Sequence, residues 1–369
     1  MLEAFGSHFQ ILGQFRSAVP LTSGHINDSF ATVYDQAGTL VRYVHQRINT
    51  EVFRDPEAVM RNVTLVTDHA RAQLLANRAP DASRRTLTLV PTRDGAPFFR
   101  DPEGGVWRTY LSIAGSRTFD TAPTPALAYQ AAKAFGQFAT LLADLDLTQL
   151  TETIPDFHNT PARVDAFGAA LGADSHNRAR EARPEIAFLE ERAPALASRI
   201  VDALHDGSLP LRVAHNDTKI NNVMIDDATA EGLCVIDLDT VMPGTLLYDF
   251  GDLVRASASA APEDERDLSK VMVQVPMFRA LVQGYLDGLG PGFLTPTERE
   301  LLVFSAKLLA FELALRFLTD FLAGDPYFKT HRPGHNLDRA RTQIHLLKSM
   351  EYQEEALAET VEKSFRMLV

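Results

Sequence analysis

The sequence predicts an α+β chain of two lobes: a small one built on an antiparallel sheet over residues 1–112, and a larger, mainly helical one over 113–369. Three observations carry that expectation. Short apolar runs separated by turn residues fill the first lobe. Apolar residues at three- and four-residue spacing dominate after Pro125. One β-rich island, Arg212 to Asp239, interrupts the helices.

Phe9 to Pro20, Ser29 to Tyr34 and Leu40 to Gln46 read as strands, divided by Thr22-Ser23-Gly24 and Gln36-Ala37-Gly38. Asp55-Pro56-Glu57 opens a helix that runs to about Ala76, with proline where a helix start tolerates it. Arg85 to Pro91, Ala96 to Arg100 and Val106 to Ile113 read as three more strands. In the second lobe, helical spacing covers Ala126 to Leu145, Glu185 to Leu204, Val271 to Leu289, Glu298 to Leu322 and Leu337 to Leu368.

The charge balance narrows the partners. With 48 acidic against 36 basic residues the net charge is −12, and neither a nucleic acid nor a membrane surface is expected without a positive footprint. The N-terminus lacks a signal-peptide pattern, and the apolar region Leu301 to Leu322 carries Lys307, Glu312, Arg316 and Asp320, so a soluble, cytoplasmic protein is expected. The single cysteine, Cys234, lies in an apolar run and reads as a buried small hydrophobe.

The chemistry concentrates in the island. Val223 to Asp227 and Leu233 to Asp237 form a hairpin around the five-residue loop Ala228 to Gly232, a register that sets position 223 opposite 237. Asn222 and Asp237 then emerge side by side, and Asp217 lies in the loop entering the same end. Phosphoryl transfer needs such a set: a carboxylate to take the proton of the attacking hydroxyl, and a second carboxylate with an amide oxygen to hold Mg2+. Asp249-Phe250-Gly251 spells the magnesium motif of protein kinases, but it falls well past the hairpin. Asp249 is therefore expected to bond backbone amides or cap the next helix, and Asp239 to support the metal or the loop.

His215-Asn216-Asp217-Thr218-Lys219-Ile220-Asn221-Asn222, Ile236-Asp237-Leu238-Asp239 through Gly244, and Tyr248-Asp249-Phe250-Gly251-Asp252 resemble the aminoglycoside phosphotransferase-like kinase superfamily, and within it the bacterial N-acetylhexosamine 1-kinases. Gly24-His25-Ile26-Asn27, Gln46-Arg47-Ile48-Asn49 and Arg339 to Ile344 extend the likeness to nearly the whole chain. The resemblance implies a two-lobed protein-kinase-like fold, ATP as phosphate donor, Mg2+, and transfer to the C1 hydroxyl of an N-acetylhexosamine. It implies Asp217 as base and Asn222 and Asp237 as metal ligands. Gly24 would lie in the turn over the phosphates, Arg47 would bind phosphate, and Tyr110 and Ser112 would flank adenine at the hinge. His25, Arg316 and Tyr327, with Asp217, would touch the sugar, and His215 would brace the catalytic loop. One departure concerns the acceptor: Ala256 stands where the family carries an aromatic ring beside the sugar.

Rival readings keep the fold and change the acceptor to another hexose, an amino alcohol or an aminoglycoside, or make the chain a catalytically silent binding module. A silent module should have lost Asp217, Asn222 or Asp237, and all three are present. A protein kinase is disfavoured because only eleven residues separate Asp237 from Asp249 and no Ala-Pro-Glu follows. A metal hydrolase is a weaker rival, since His215 is the island's only histidine. Monomer and homodimer both fit.

Overall fold

The computed structural model describes residues 5–21 and 26–368. Gly24 and His25 lie outside the described residues. The small lobe is a five-stranded antiparallel sheet in the order β1-β2-β3-β5-β4, with β1 Gln14–Leu21, β2 Asp28–Gln36, β3 Thr39–Ile48, β4 Phe99–Arg100 and β5 Val106–Leu111. Alternation sorts its faces. Tyr34, Tyr43 and Trp107 join Phe5 and Phe9 in a small core on one side. Ile48, Val106 and Tyr110 share the main core with Val59, Met60, Val63 and Val66 of helix α1, Pro56–Ala76. That helix starts as expected, with Asp55 accepting from Ala58 N at 2.9 Å.

Three strands of the small lobe differ from expectation, and of these Ala96 to Arg100 shortens to Phe99–Arg100. β1 begins at Gln14, because Gly13 sits at φ 87°, where a Cβ would meet Asp35 O at 2.1 Å. The segment before Pro91 makes only an isolated bridge, Leu89 to Tyr110, and proline has no N–H with which to extend it.

The larger lobe contains β6 Ser116–Arg117, α2 Pro125–Leu141, α3 Thr160–Ala173, α4 Arg183–Leu196 and α5 Arg199–His205. Next come β7 Arg212–Ala214, β8 Val223–Asp226, β9 Gly232–Val235, β10 Met242–Gly244 and α6 Leu246–Ser257. The chain ends with α7 Val275–Leu289, α8 Pro296–Glu300, α9 Leu302–Leu322, α10 His335–Tyr352 and α11 Glu354–Met367. Three long helices of the sequence reading are each two helices, broken near Ala197, Leu301 and Gln353. α3 carries no legible apolar period in the sequence, because it buries only Thr160 and Phe167. Among the described residues no helix is long and apolar enough to cross a membrane.

The hairpin register also differs. Val223 pairs with Val235 and Met224 with Cys234, and a shift follows at Ile225. The Asp226 carboxylate accepts from Ala228 N at 2.8 Å and Thr229 N at 2.9 Å, tightening the turn and drawing Asp227 out of the strand.

His45 makes the small lobe acid-sensitive. Its fully buried ring lies between Tyr34 Oη at 3.3 Å and Thr109 Oγ1 at 2.7 Å, and burial pushes its pKa from 6.5 down to about 4. The folded state favours the neutral ring, so below pH 6.5 the unfolded chain gains the proton first and stability falls until about pH 4. Urea unfolding should show about 2 kcal/mol of loss from this group between about pH 7.5 and 5. In His45→Gln that share of the slope should vanish; an unchanged slope would refute the assignment.

Candidate active site

β7, paired with β10, fixes the start of the loop 215–222, and β8 takes over at its end. Asp249, in the first turn of α6, clamps the loop: its carboxylate accepts from His215 N at 3.0 Å and Asn216 N at 2.7 Å. Its pKa is nonetheless raised, because burial outweighs these bonds. The helix cap that the sequence allowed to Asp249 belongs instead to Thr245. Asn216 adopts φ 65°, a conformation asparagine tolerates, and its side chain donates to Thr240 O at 2.9 Å. His215 Nδ1 accepts from Asp217 N at 3.2 Å, which leaves Nε2–H to donate to Ile236 O at 3.0 Å. That ring thus fastens the loop to the strand that delivers Asp237.

Asp217 and Asn222 meet directly. Asn222 Nδ2 donates to Asp217 O at 2.8 Å and to Asp217 Oδ2 at 2.9 Å. Lys219 Nζ lies 2.9 Å from the same carboxylate oxygen. Burial disfavours the Asp217 carboxylate, but the Lys219 ammonium and the Asn222 amide outweigh it and hold its pKa below the usual value.

Asp237 arrives through backbone geometry and not through the anticipated pairing with Val223. It takes φ 61°, opening a single 3₁₀ turn, Leu238–Thr240. Among the described residues nothing donates to its carboxylate, and burial, then Asp239, pushes its pKa up to about 6. Asp239 is fully engaged. Arg108 of β5 donates to Oδ1, and Asn27 Nδ2 donates to Oδ2 at 2.8 Å. Arg108 is 1% exposed, bonds Gln46 Oε1 at 3.0 Å and lies 5.2 Å from the Tyr110 ring centroid. Asn27 Oδ1 also accepts from Asn49 N at 3.0 Å, so Asn27, just before β2, is tied both to Asp239 and to the end of β3.

The expected nucleotide residues divide. Arg47 is exposed and lines an open polar cleft of about 340 Å3 with Asp28, Glu103 and Lys329. Asp101 is the acidic group it faces, while Glu57 pairs with Arg100 at 3.2 Å. Tyr110 is buried with its hydroxyl unpartnered, and Ser112 N donates to Arg42 O at 3.0 Å. On the helical side Arg316 lies over the rings of Phe157 at 5.3 Å and Phe328 at 5.6 Å. It pairs with neither Asp320 nor Glu312, the acidic residues of its own helix, because both are hydrogen-bonded elsewhere. Tyr327 is 55% exposed.

Several members of the site were not singled out from sequence. Lys219 lies between Asp217 and Asn222 in the loop, where sequence alone does not set it apart from a surface lysine. His158 faces Glu312 Oε1 at 2.8 Å and Asn216 O at 3.3 Å, linking α9 to the loop. Asp252 accepts from Arg255 Nε at 2.7 Å, and its other oxygen is buried without a partner. A carboxylate in the apolar α9, Glu312, was the available signal for a buried partner.

A family model, the phosphotransferase enzyme family, matches residues 17–293. This chain belongs to that family. The phosphotransferase match takes in β1 through α7 and therefore Asp217, Asn222 and Asp237, while Arg316 and Tyr327 lie beyond it. Solved structures share the fold across the chain. An aminoglycoside phosphotransferase from Alicyclobacillus acidocaldarius is 13% identical, covers 97% of this chain and 95% of its own, and superposes with a TM-score of 0.63. A choline kinase from Cryptosporidium parvum is 12% identical over 98% of each chain, with a TM-score of 0.56. A spectinomycin phosphotransferase bound to ADP and spectinomycin is 12% identical over 98% of this chain and 96% of its own, with a TM-score of 0.53.

Proposed function

We propose that this phosphotransferase is an ATP-dependent anomeric sugar kinase that phosphorylates the C1 hydroxyl of an N-acetylhexosamine. The observation that carries the phosphoryl-transfer reading is the meeting of Asp217 and Asn222 beside a half-buried Asp237 whose carboxylate, among the described residues, accepts no hydrogen bond. The sugar assignment rests on the resemblance of the motifs around these residues.

The donor set fits Mg2+. Asp237 and the Asn222 side-chain oxygen are hard ligands, and a carboxylate without hydrogen-bond donors beside Asp239 leaves negative charge that Lys219 and Arg108 offset only in part. When bound, Mg2+ neutralises charge on the β- and γ-phosphates. Asp217 orients the C1 hydroxyl and takes its proton as the oxygen–phosphorus bond forms. The bond from the γ-phosphorus to the β,γ-bridging oxygen breaks, and ADP leaves with that electron pair. Lys219, next to Asp217, supplies positive charge where the transferred group passes. Ala256, at its half-buried position on α6, leaves room where an aromatic ring would stand, which admits a different 2-substituent or weakens the selection of N-acetylated sugars.

ADP release should be measured on N-acetylglucosamine, N-acetylgalactosamine, glucose, galactose and 1-O-methyl-N-acetylglucosamine. Turnover on an N-acetylhexosamine that disappears with the 1-O-methyl compound is the expected result. Equal turnover on the 1-O-methyl compound would move the reaction away from C1.

A further inference from the structure

Two arginines near the catalytic loop have, among the described residues, no direct ion pair with a carboxylate, although Glu312 lies within electrostatic reach of both. Arg163, in the first turns of α3, donates from Nη2 to Phe157 O at 3.0 Å, while its Nε is buried without a partner. Arg316 lies over the ring of the same Phe157 and, among the described residues, has neither a hydrogen bond nor an ion pair. The two guanidiniums stand close enough to repel, and burial followed by this repulsion lowers the Arg163 pKa, which Glu312, Tyr327 and Asp156 offset only in part. Phe157 precedes His158, which reaches the carbonyl of Asn216, next to Asp217.

The neighbouring carboxylates are already engaged. Glu312 holds His158 and Thr160, Asp320 holds the amides of Tyr327 and Phe328 together with Asn336, and Asp325 holds Arg178 and Asn336. Asp156, exposed at the rim, accepts from Asn159 at 2.7 Å. Desolvating two adjacent guanidiniums is unfavourable unless an anion joins them, and the guanidinium fork matches a carboxylate or a phosphate. Repulsion of this kind is conspicuous in a chain of net charge −12.

We propose that Arg163 and Arg316 form an oxyanion subsite, so that the acceptor is an acidic hexose bearing a carboxylate or phosphate away from the hydroxyl that Asp217 engages. This rests on the sugar-kinase reading of the cleft and specifies its substrate class.

The test compares kcat/KM for matched pairs: N-acetylglucosamine against N-acetylglucosamine 6-phosphate, and glucose against glucuronic acid. Wild type and the Arg163→Met and Arg163→Lys variants are assayed alike. One acidic sugar should exceed its neutral counterpart by at least roughly 30-fold, the scale of a charge-assisted pair. The pair that shows it distinguishes phosphate from carboxylate. In Arg163→Met the acidic-to-neutral ratio should fall at least about tenfold, with partial recovery in Arg163→Lys. Neutral sugars used as well as or better than both acidic ones would overturn the subsite and leave the sugar-kinase reading intact. If no sugar turns over, that reading fails, and equilibrium dialysis of the two acidic sugars against ADP-loaded protein decides the subsite alone. Binding weakened at least about tenfold in Arg163→Met upholds it, and binding indifferent to Arg163 overturns it.

Discussion

Asp217→Asn is expected to lower kcat by about 10³-fold while leaving the KM for ATP within about threefold. The substitution keeps the shape of the side chain, so the contact with Asn222 survives in altered form and the loop stays pinned by His215 and Asp249. What disappears is the proton acceptor and the negative partner of Lys219 at 2.9 Å. An ammonium left beside a neutral amide still favours the phosphates, which is why nucleotide affinity should hold while turnover collapses. Single-turnover assays with ADP binding measured in parallel separate the two effects. A kcat within about tenfold of wild type would show that another group takes the proton. Loss of ADP binding together with turnover would instead make Asp217 an organiser of the nucleotide site.

How far the sequence exposes this site depends on chain distance. Asp217, Asn222 and Asp237 lie within one short stretch, so local turn and hairpin chemistry suffices to bring them together. Even there the expected register was two residues out, because Asp226 caps a tight turn through its carboxylate, a choice invisible to apolar alternation. Asp237 reaches its position through a left-handed backbone instead. Partners contributed from afar were hidden. Arg108 is separated from Asp239 by 131 positions and His158 from Glu312 by 154, and no periodicity encodes such pairs. A clue did exist in β5: Val106, Arg108 and Tyr110 share the buried face, where an unpaired guanidinium is untenable and a carboxylate partner is required. Arg47, which the resemblance implies as the phosphate cation, is exposed and lines the cleft with Asp28 and Glu103, while Arg108 lies near the aspartate pair.

That arrangement makes Arg108→Met the substitution with the largest expected cost to the fold. The Arg108–Asp239 pair is 1% and 2% exposed and joins β5 of the small lobe to the aspartate turn of the large one. Methionine fills much of the volume beside Met60 but leaves the Asp239 carboxylate buried with only Asn27 to satisfy it. Breaking one side of a buried ion pair costs roughly 3–5 kcal/mol, so urea unfolding should lose about that much. Adding Asp239→Asn removes the stranded charge and should restore most of the stability, since desolvation of an unpaired carboxylate dominates the loss. Activity should not return with it. Asn27 would lose its acidic acceptor, and Asp237 would lose both the attraction of Arg108 and the repulsion of Asp239. Recovered stability with depressed turnover would mark the pair as the strut that holds the two lobes at the separation phosphoryl transfer needs. Full recovery of turnover in the double variant would reduce Arg108 to a neutraliser of one buried charge.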